Sequence, residues 1–376
     1  MKRRNFIYSV GSVSSLLLVG NKLVGKELEQ NHTLLANNSD ISNRVGNNLN
    51  EYPEKLPFIK NSNELIKPKA LKRGDTIAIT APASPTNIGE ISNTIKLFKN
   101  MGFNVIIGDT IKNQNLNFRY LSDDDNIRAA EFMDFVKNKD VNAIICGRGG
   151  YGVMRTFPYL DFNEIKNNPK IIVGFSDITA LLNAINKKSN LVCFHGPVAT
   201  SKFDSFTLAN FTKVLFDEQQ FTKIENVFPE MININEGYAQ GEITGGNLKM
   251  IISTLGTPYE IDISNKILFL EEVNEHPYEI DRMLTQLMLT NKLNTVKAIV
   301  FGKFENANKR MPFHPYASFT IIEVIEQLLK PFNIPIVYNL PFGHTDLMLT
   351  LPFGVKCELN TNKKSLSIIE SAVSIS

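Results

Sequence analysis

Between residues 75 and 185, short apolar runs alternate with segments of helical period, and few folds accommodate that order. Residues 75–80 read as a strand that ends in the turn-rich Ala81-Pro82-Ala83-Ser84-Pro85. Ile88, Ile91, Ile95, Phe98 and Met101 then recur at helical spacing, and Gly102 stops the helix. Residues 103–107 are the next strand, and Ser122 with Asp125 forms a capping-box pattern that opens a helix to about Val136. Residues 141–146 and 170–175 are further strands, and residues 177–185 a further helix. Such alternation predicts a parallel sheet with helices on both faces. Ligands of these sheets bind beyond the carboxyl ends of the strands.

The grammar changes after about Thr200. Residues 202–229 read as a connection. From Gly237 onward strand-like runs dominate (242–243, 266–270, 298–301, 336–337 and 355–359), interrupted by helical stretches at 280–289 and 318–329. This predicts a second, α+β domain (237–376) containing a small barrel or sandwich, after a first α/β domain (67–200) and a connection (201–236). At roughly 150 residues per domain, 376 residues accommodate two domains, and 43% hydrophobic residues suffice for their cores. No internal repeat is visible. Forty Lys plus Arg against 38 Asp plus Glu give a charge of +2, which offers no support for a nucleic-acid partner. Three widely spaced cysteines, Cys146, Cys193 and Cys357, form neither a disulfide framework nor a metal motif. No metal or cofactor is expected.

The N-terminus has the form of an address. Lys2-Arg3-Arg4 precedes a short apolar run, so residues 1–25 read as an export signal of the twin-arginine type. The run is shorter than the ~20 residues a spanning helix needs, and no later segment is apolar enough to span. Residues 26–66, with nine asparagines, read as a linker. The chain is therefore expected outside the cytoplasm, in the periplasm or cell envelope.

Two constellations compete for the chemistry. Gly147-Arg148-Gly149-Gly150-Tyr151-Gly152 contains G-x-G-x-x-G after a strand, the dinucleotide fingerprint if taken literally. It lies on a middle strand without a clear acidic partner. A tight structural turn, or a turn lending backbone N–H groups to a neighbouring site, fits better. In Gly174-Phe175-Ser176-Asp177 an apolar strand runs into a serine and a helix begins at once. Such a serine projects above the sheet edge, and the next N–H is free to join an oxyanion hole. Taken alone, this turn favours Ser176 as a cap of the helix over a nucleophile. A base must come from five histidines: His32 in the linker, His195 at a strand end, His276 and His314 in loops, and His344 in a glycine turn. An acid could come from Glu271 or Glu272, whose side chains would face opposite sides of a straight strand.

The segments Gly147–Gly152, Gly174–Asp177, Gly245-Gly246-Asn247-Leu248, Leu270-Glu271-Glu272 with Ile280-Asp281-Arg282-Met283-Leu284, and Phe342-Gly343-His344 occur in this order. Together they resemble the serine LD-carboxypeptidase family, which includes the microcin-immunity peptidases, over roughly residues 68–369. The resemblance implies a flavodoxin-like or amidotransferase-like N-terminal domain and a smaller swivelling β/β/α C-terminal domain. It implies Ser176 as nucleophile, His344 as general base and then acid, and Glu271 as the group orienting His344. The N–H groups of Asp177 and Gly150 would form the oxyanion hole, with Gly149 the second choice. Arg148, beside the turn, is the candidate for holding a terminal carboxylate. The implied substrate is a muropeptide cleaved before its terminal D-Ala, with an acyl-sulfamoyl nucleotide or another amide as an alternative. A non-catalytic exported muropeptide-binding protein also fits the tether, and a homodimer is kept open. Two features depart from the family pattern: Glu272 stands where an Asp is usual, and the export signal and tether are unlike the cytoplasmic members.

Overall fold

The computed structural model describes residues 65–113, 119–216, 221–307 and 318–374. The proposed signal, nearly all of the linker, His32 and His314 lie outside these residues. The first sheet is built from β1 (Thr76–Thr80), β2 (Asn104–Ile107), β3 (Val141–Cys146), β4 (Ile171–Gly174) and β5 (Phe194–His195). Its order is β2-β1-β3-β4-β5 with every neighbouring pair parallel, the doubly wound flavodoxin order. Ile77, Ala78, Ile79 and the run Ala143–Cys146 are buried, as strands covered on both faces require. Helices α1 (Ile88–Asn100), α2 (Asp109–Lys112), α3 (Asp125–Lys137), α4 (Phe162–Asn167) and α5 (Ile178–Ser189) follow the strands in turn. Asn87 caps α1 through a full capping box with Glu90, and Gly102 leaves the helix at φ +92°.

The capping box expected from Ser122 and Asp125 is not formed. The N-cap of α3 is Asp124, and Ser122 is buried, its hydroxyl donating to the Ala81 carbonyl at 2.5 Å. The serine that reads as a helix signal instead pins the loop leaving β1.

The stretch read as a connection contains α6 (Ser205–Leu215), β6 (Ile224–Val227) and β7 (Ile232–Asn235). The second sheet continues with β8 (Tyr238–Asn247), β9 (Ile267–Glu271), β10 (Ala298–Gly302), β11 (Ile336–Leu340), β13 (Lys356–Asn360) and β14 (Ser365–Ile368), while the two-residue β12 (Leu351–Pro352) joins the first sheet antiparallel to β5. Helices α7 (Leu248–Thr254), α8 (Pro277–Leu289) and α9 (Ile321–Leu329) separate its central strands. The order β6-β14-β13-β8-β9-β10-β11-β7 is one mixed sheet, parallel from β8 to β11, in place of the expected barrel or sandwich. The reason lies in what covers it. Ile267 and Phe269 of β9, with Ala298 and Val300 of β10, belong to a core continuous with that of the first sheet. Leu268, Leu270, Ile299 and Phe301 face the other way, into a second core with α7, α8 and α9. The central strands β9 and β10 are thus buried on both faces without the sheet closing on itself.

Candidate active site

Ser176 sits where β4 becomes α5, at φ +63°. A non-glycine residue in the left-handed region costs of order 1–3 kcal/mol, so the surrounding structure must hold it there. Gly174 shows how tight the turn is, since a Cβ there would approach the Ile178 side chain to 2.5 Å. The N-cap of α5 is Asp177, with no side-chain capping bond, so Ser176 does not cap the helix. Its hydroxyl points instead to a histidine from the other sheet's side of the molecule.

His344 Nε2 lies 3.2 Å from Ser176 Oγ, and His344 Nδ1 lies 2.8 Å from Glu271 Oε2. The serine comes from the end of β4, the glutamate from the end of β9 and the histidine from the turn after β11. Gly343, at φ +86°, leaves no room for a side chain beside Glu271. Glu271 is fully buried, yet its carboxyl is held below the usual range: burial opposes the charge, and the hydrogen bond and charge of His344 outweigh it. The same pair acts on His344. Burial disfavours the imidazolium, but the hydrogen bond and charge of Glu271, then the charge of Glu272, raise it above its ordinary value.

Glu272 faces the opposite way, as alternation along a strand requires. It too is buried, so neither glutamate is a solvated strand-end charge. Its carboxylate accepts from Asn247 Nδ2 at 2.9 Å, Lys249 N at 2.8 Å and Val273 N at 3.0 Å. Burial and the neighbouring Glu271 push it up to about 7, against those three donors. Asn247 in turn receives its backbone contact from α5, donating N–H to Thr179 Oγ1 at 3.1 Å, and Asn183 Nδ2 donates to Gly245 O at 3.0 Å. A Cβ on Gly246 would collide with Thr179. Gly245-Gly246-Asn247 therefore docks β8 on the helix behind Ser176. Because Asn247 is paired with Glu271, that contact sets the distance from the carboxylate to the serine.

The glycine-rich turn lies against the serine: a Cβ on Gly149 would stand 2.7 Å from Ser176 Cβ. Gly150, at φ +102°, abuts Ser84, whose hydroxyl accepts from Tyr151 N at 3.0 Å and donates to Tyr120 O at 2.8 Å. Asp177 Oδ2 accepts from Val153 N at 2.8 Å, joining the turn to the start of α5. Burial raises the Asp177 carboxyl, opposed by the Val153 and Gly152 N–H groups and by Arg128. Arg128, fully buried on α3, donates to Gly152 O, Pro82 O and Asp125. No acceptor within the protein, among the described residues, takes the N–H of Gly149, Gly150 or Asp177.

The remaining candidates separate. His195 is fully buried beneath the site rather than lining its open face, its ring among Phe175, Phe269 and Phe342, and burial lowers its pKa to about 4. His276 stands just before Pro277 in extended conformation, as the N-cap of α8. Arg148 is exposed, and is not among the residues that line the cavity beside His344. All three cysteines are buried and free. No group of three or more His, Cys, Asp or Glu able to hold a metal occurs among the described residues. Arg128, Ser84, Thr179 and Asn183 carry no motif of their own. Only the unusual placement of polar residues within otherwise apolar helices signals the last two.

Two family models match the chain: the LD-carboxypeptidase N-terminal domain over residues 77–196 and the LD-carboxypeptidase C-terminal domain over residues 240–359. The chain is 36% identical to a protein of Bacillus subtilis named "Probable murein peptide carboxypeptidase", over 82% of this chain and 95% of that one. It is 31% identical to the microcin C7 self-immunity protein MccF of Escherichia coli, over 80% of this chain and 95% of that one. The fold is similar to that of MccF without ligand, with a TM-score of 0.75 at 27% identity, over 82% of this chain and 100% of that one. It is also similar to a muramoyltetrapeptide carboxypeptidase from Oxalobacter formigenes, with a TM-score of 0.68 at 31% identity, covering 79% and 99%. With its parallel-sheet N-terminal half, its second sheet and both domain models matched, the chain belongs to the LD-carboxypeptidase family.

Proposed function

We propose that this protein is a serine carboxypeptidase that cleaves the L,D amide bond before the terminal D-Ala of peptidoglycan stem tetrapeptides. The hydrogen-bonded chain from Ser176 through His344 to Glu271 carries this reading. Glu271 accepts the Nδ1–H of His344, which leaves Nε2 unprotonated and facing the serine hydroxyl. Ser176 Oγ attacks the amide carbonyl as His344 takes its proton. The N–H groups of Asp177 and Gly150, with Gly149 as the other candidate, receive the oxyanion. His344 then protonates the departing D-Ala nitrogen, and water enters by the same path in reverse to release the tripeptide.

The B. subtilis relative named for murein peptides supports the peptidoglycan substrate. MccF structures carry glutamyl sulfamoyl guanosine and aspartyl sulfamoyl adenosine, so an acyl-sulfamoyl nucleotide is the competing substrate. Incubation with a tetrapeptide muropeptide and with an aspartyl sulfamoyl nucleotide, each followed by mass spectrometry, separates them. Loss of one D-Ala from the tetrapeptide with the nucleotide intact is expected. Cleavage of the nucleotide alone would overturn the assignment.

We place the protein outside the cytoplasm, on the strength of Arg3-Arg4 and the apolar run that follows. Among the described residues no helix is long and apolar enough to cross a membrane. Cell fractionation is expected to find the protein in the envelope or periplasm. Recovery of the chain in the cytosol with residues 1–25 intact would contradict this.

A further inference from the structure

A cavity of about 400 Å³ opens beside His344, of the size that holds a small ligand. Phe175 and His344 form one part of its wall, and Lys202, Lys303, Glu305 and Asp346 supply its charges. Lys303 is paired with Glu305 at 3.1 Å, so these two largely cancel. Lys202 and Asp346 have no ion-pair partner among the described residues, either in each other or elsewhere. One uncompensated cation and one uncompensated anion thus share a pocket wall with the proposed acid–base histidine.

The chemistry says what belongs there. The group that protonates a leaving nitrogen must touch it, so the leaving amino acid lies on the side of Ser176 where His344 stands. In a carboxypeptidase that residue carries a free carboxylate, and on release it becomes a zwitterion. We propose that this cavity is the leaving-group subsite: Lys202 holds the terminal carboxylate, and Asp346 receives the ammonium that forms on cleavage. The inference rests on the reaction proposed above. It also moves the carboxylate contact away from Arg148: both side chains are exposed, but only Lys202 lines this cavity. Lys202, on the loop after β5, is free to take a ligand carboxylate without first breaking an ion pair.

Binding to the Ser176→Ala protein tests the subsite without turnover, using a tetrapeptide muropeptide and its C-terminal amide. The free acid is expected to bind about tenfold more tightly than the amide, the scale of one charge-assisted contact. Lys202→Met should bring the acid down to the level of the amide, Lys202→Arg should keep most of the preference, and Arg148→Met should leave it unchanged. Asp346→Asn should weaken binding of free D-alanine but not of the tetrapeptide, whose corresponding nitrogen is an uncharged amide. Equal loss on acid and amide in Lys202→Met, no loss at all, or disappearance of the preference in Arg148→Met would overturn the assignment. D-Ala release by the unmutated protein is measured in parallel. Lys202-dependent discrimination without such release would sink the reaction and leave the subsite standing, and release without that discrimination would do the reverse.

Discussion

Two adjacent glutamates show how much one residue's direction decides. Glu271 and Glu272 are both buried, but only Glu271 reaches His344. Replacing Glu271 with Gln removes the charge that raises the His344 pKa. As the proposed base, the histidine works in its neutral form, so activity is expected to fall as pH drops through that pKa. Glu271→Gln should therefore lower kcat sharply with little change in KM, and move the acidic limb of the kcat/KM profile to lower pH. Glu272→Gln should stay within about tenfold of the parent, since the strand turns its side chain to Asn247 and Lys249. A pH–rate series on both variants checks this, and a larger loss for Glu272→Gln would reverse the assignment. Strand alternation made the opposed directions of these carboxylates legible in the sequence. Which of the two faces the histidine was not, because that depends on how β8, β9 and the turn after β11 are stacked, and only the family pattern pointed to Glu271. Burial of Glu272 was invisible for the same reason: two of its three donors, residues 247 and 249, come from the start of α7, and the third is the N–H of Val273 just after β9.

At the scale of elements, the site depends on turns that admit no side chain. Gly149→Ala would set a methyl 2.7 Å from Ser176 Cβ, at a turn that Arg128, Asp177 and Ser84 hold on three sides. The expected result is a folded protein with kcat lowered by about 10²–10³, the scale of a spoiled oxyanion hole. Circular dichroism with steady-state kinetics measures both, and full activity in Gly149→Ala would show that the turn has slack. Gly245→Ala should fail differently. That glycine is at φ +154° with its Cα against the Phe269 backbone, inside the β8–β9 ladder, so a side chain there disrupts the second sheet itself. Loss of soluble protein or a large fall in Tm is expected, and an unchanged Tm would contradict the role given to the glycine pair. The longer elements around the first sheet follow closely from apolar period, because β1, β3 and β4 are buried on both faces, whereas the short α2 and α4 carry too few residues to show a period. The second sheet was legible strand by strand but not as a whole, since alternating residues of β9 and β10 serve two different cores. Ser122 misled as a helix cap because its hydroxyl serves a carbonyl of the neighbouring loop.

For the whole molecule, the two sheets cannot be separated without losing the site. β12 returns from the second half of the chain to the edge of the first sheet, and one core runs through both. Calorimetry should accordingly show a single cooperative transition, with activity lost across the same temperatures. Two resolved transitions would mean that the sheets unfold as independent domains. The same interlock explains why Ser176 lies 168 residues from His344 in sequence yet 3.2 Å from it in space. Whether Ser176 is the nucleophile of a D-Ala-releasing peptidase is decided by quantifying free D-Ala from a tetrapeptide muropeptide with the unmutated protein and with Ser176→Ala. The prediction is rapid release by the first and a loss of up to ~10⁶-fold in the second, with identical circular dichroism. Equal release by a well-folded Ser176→Ala protein would contradict it.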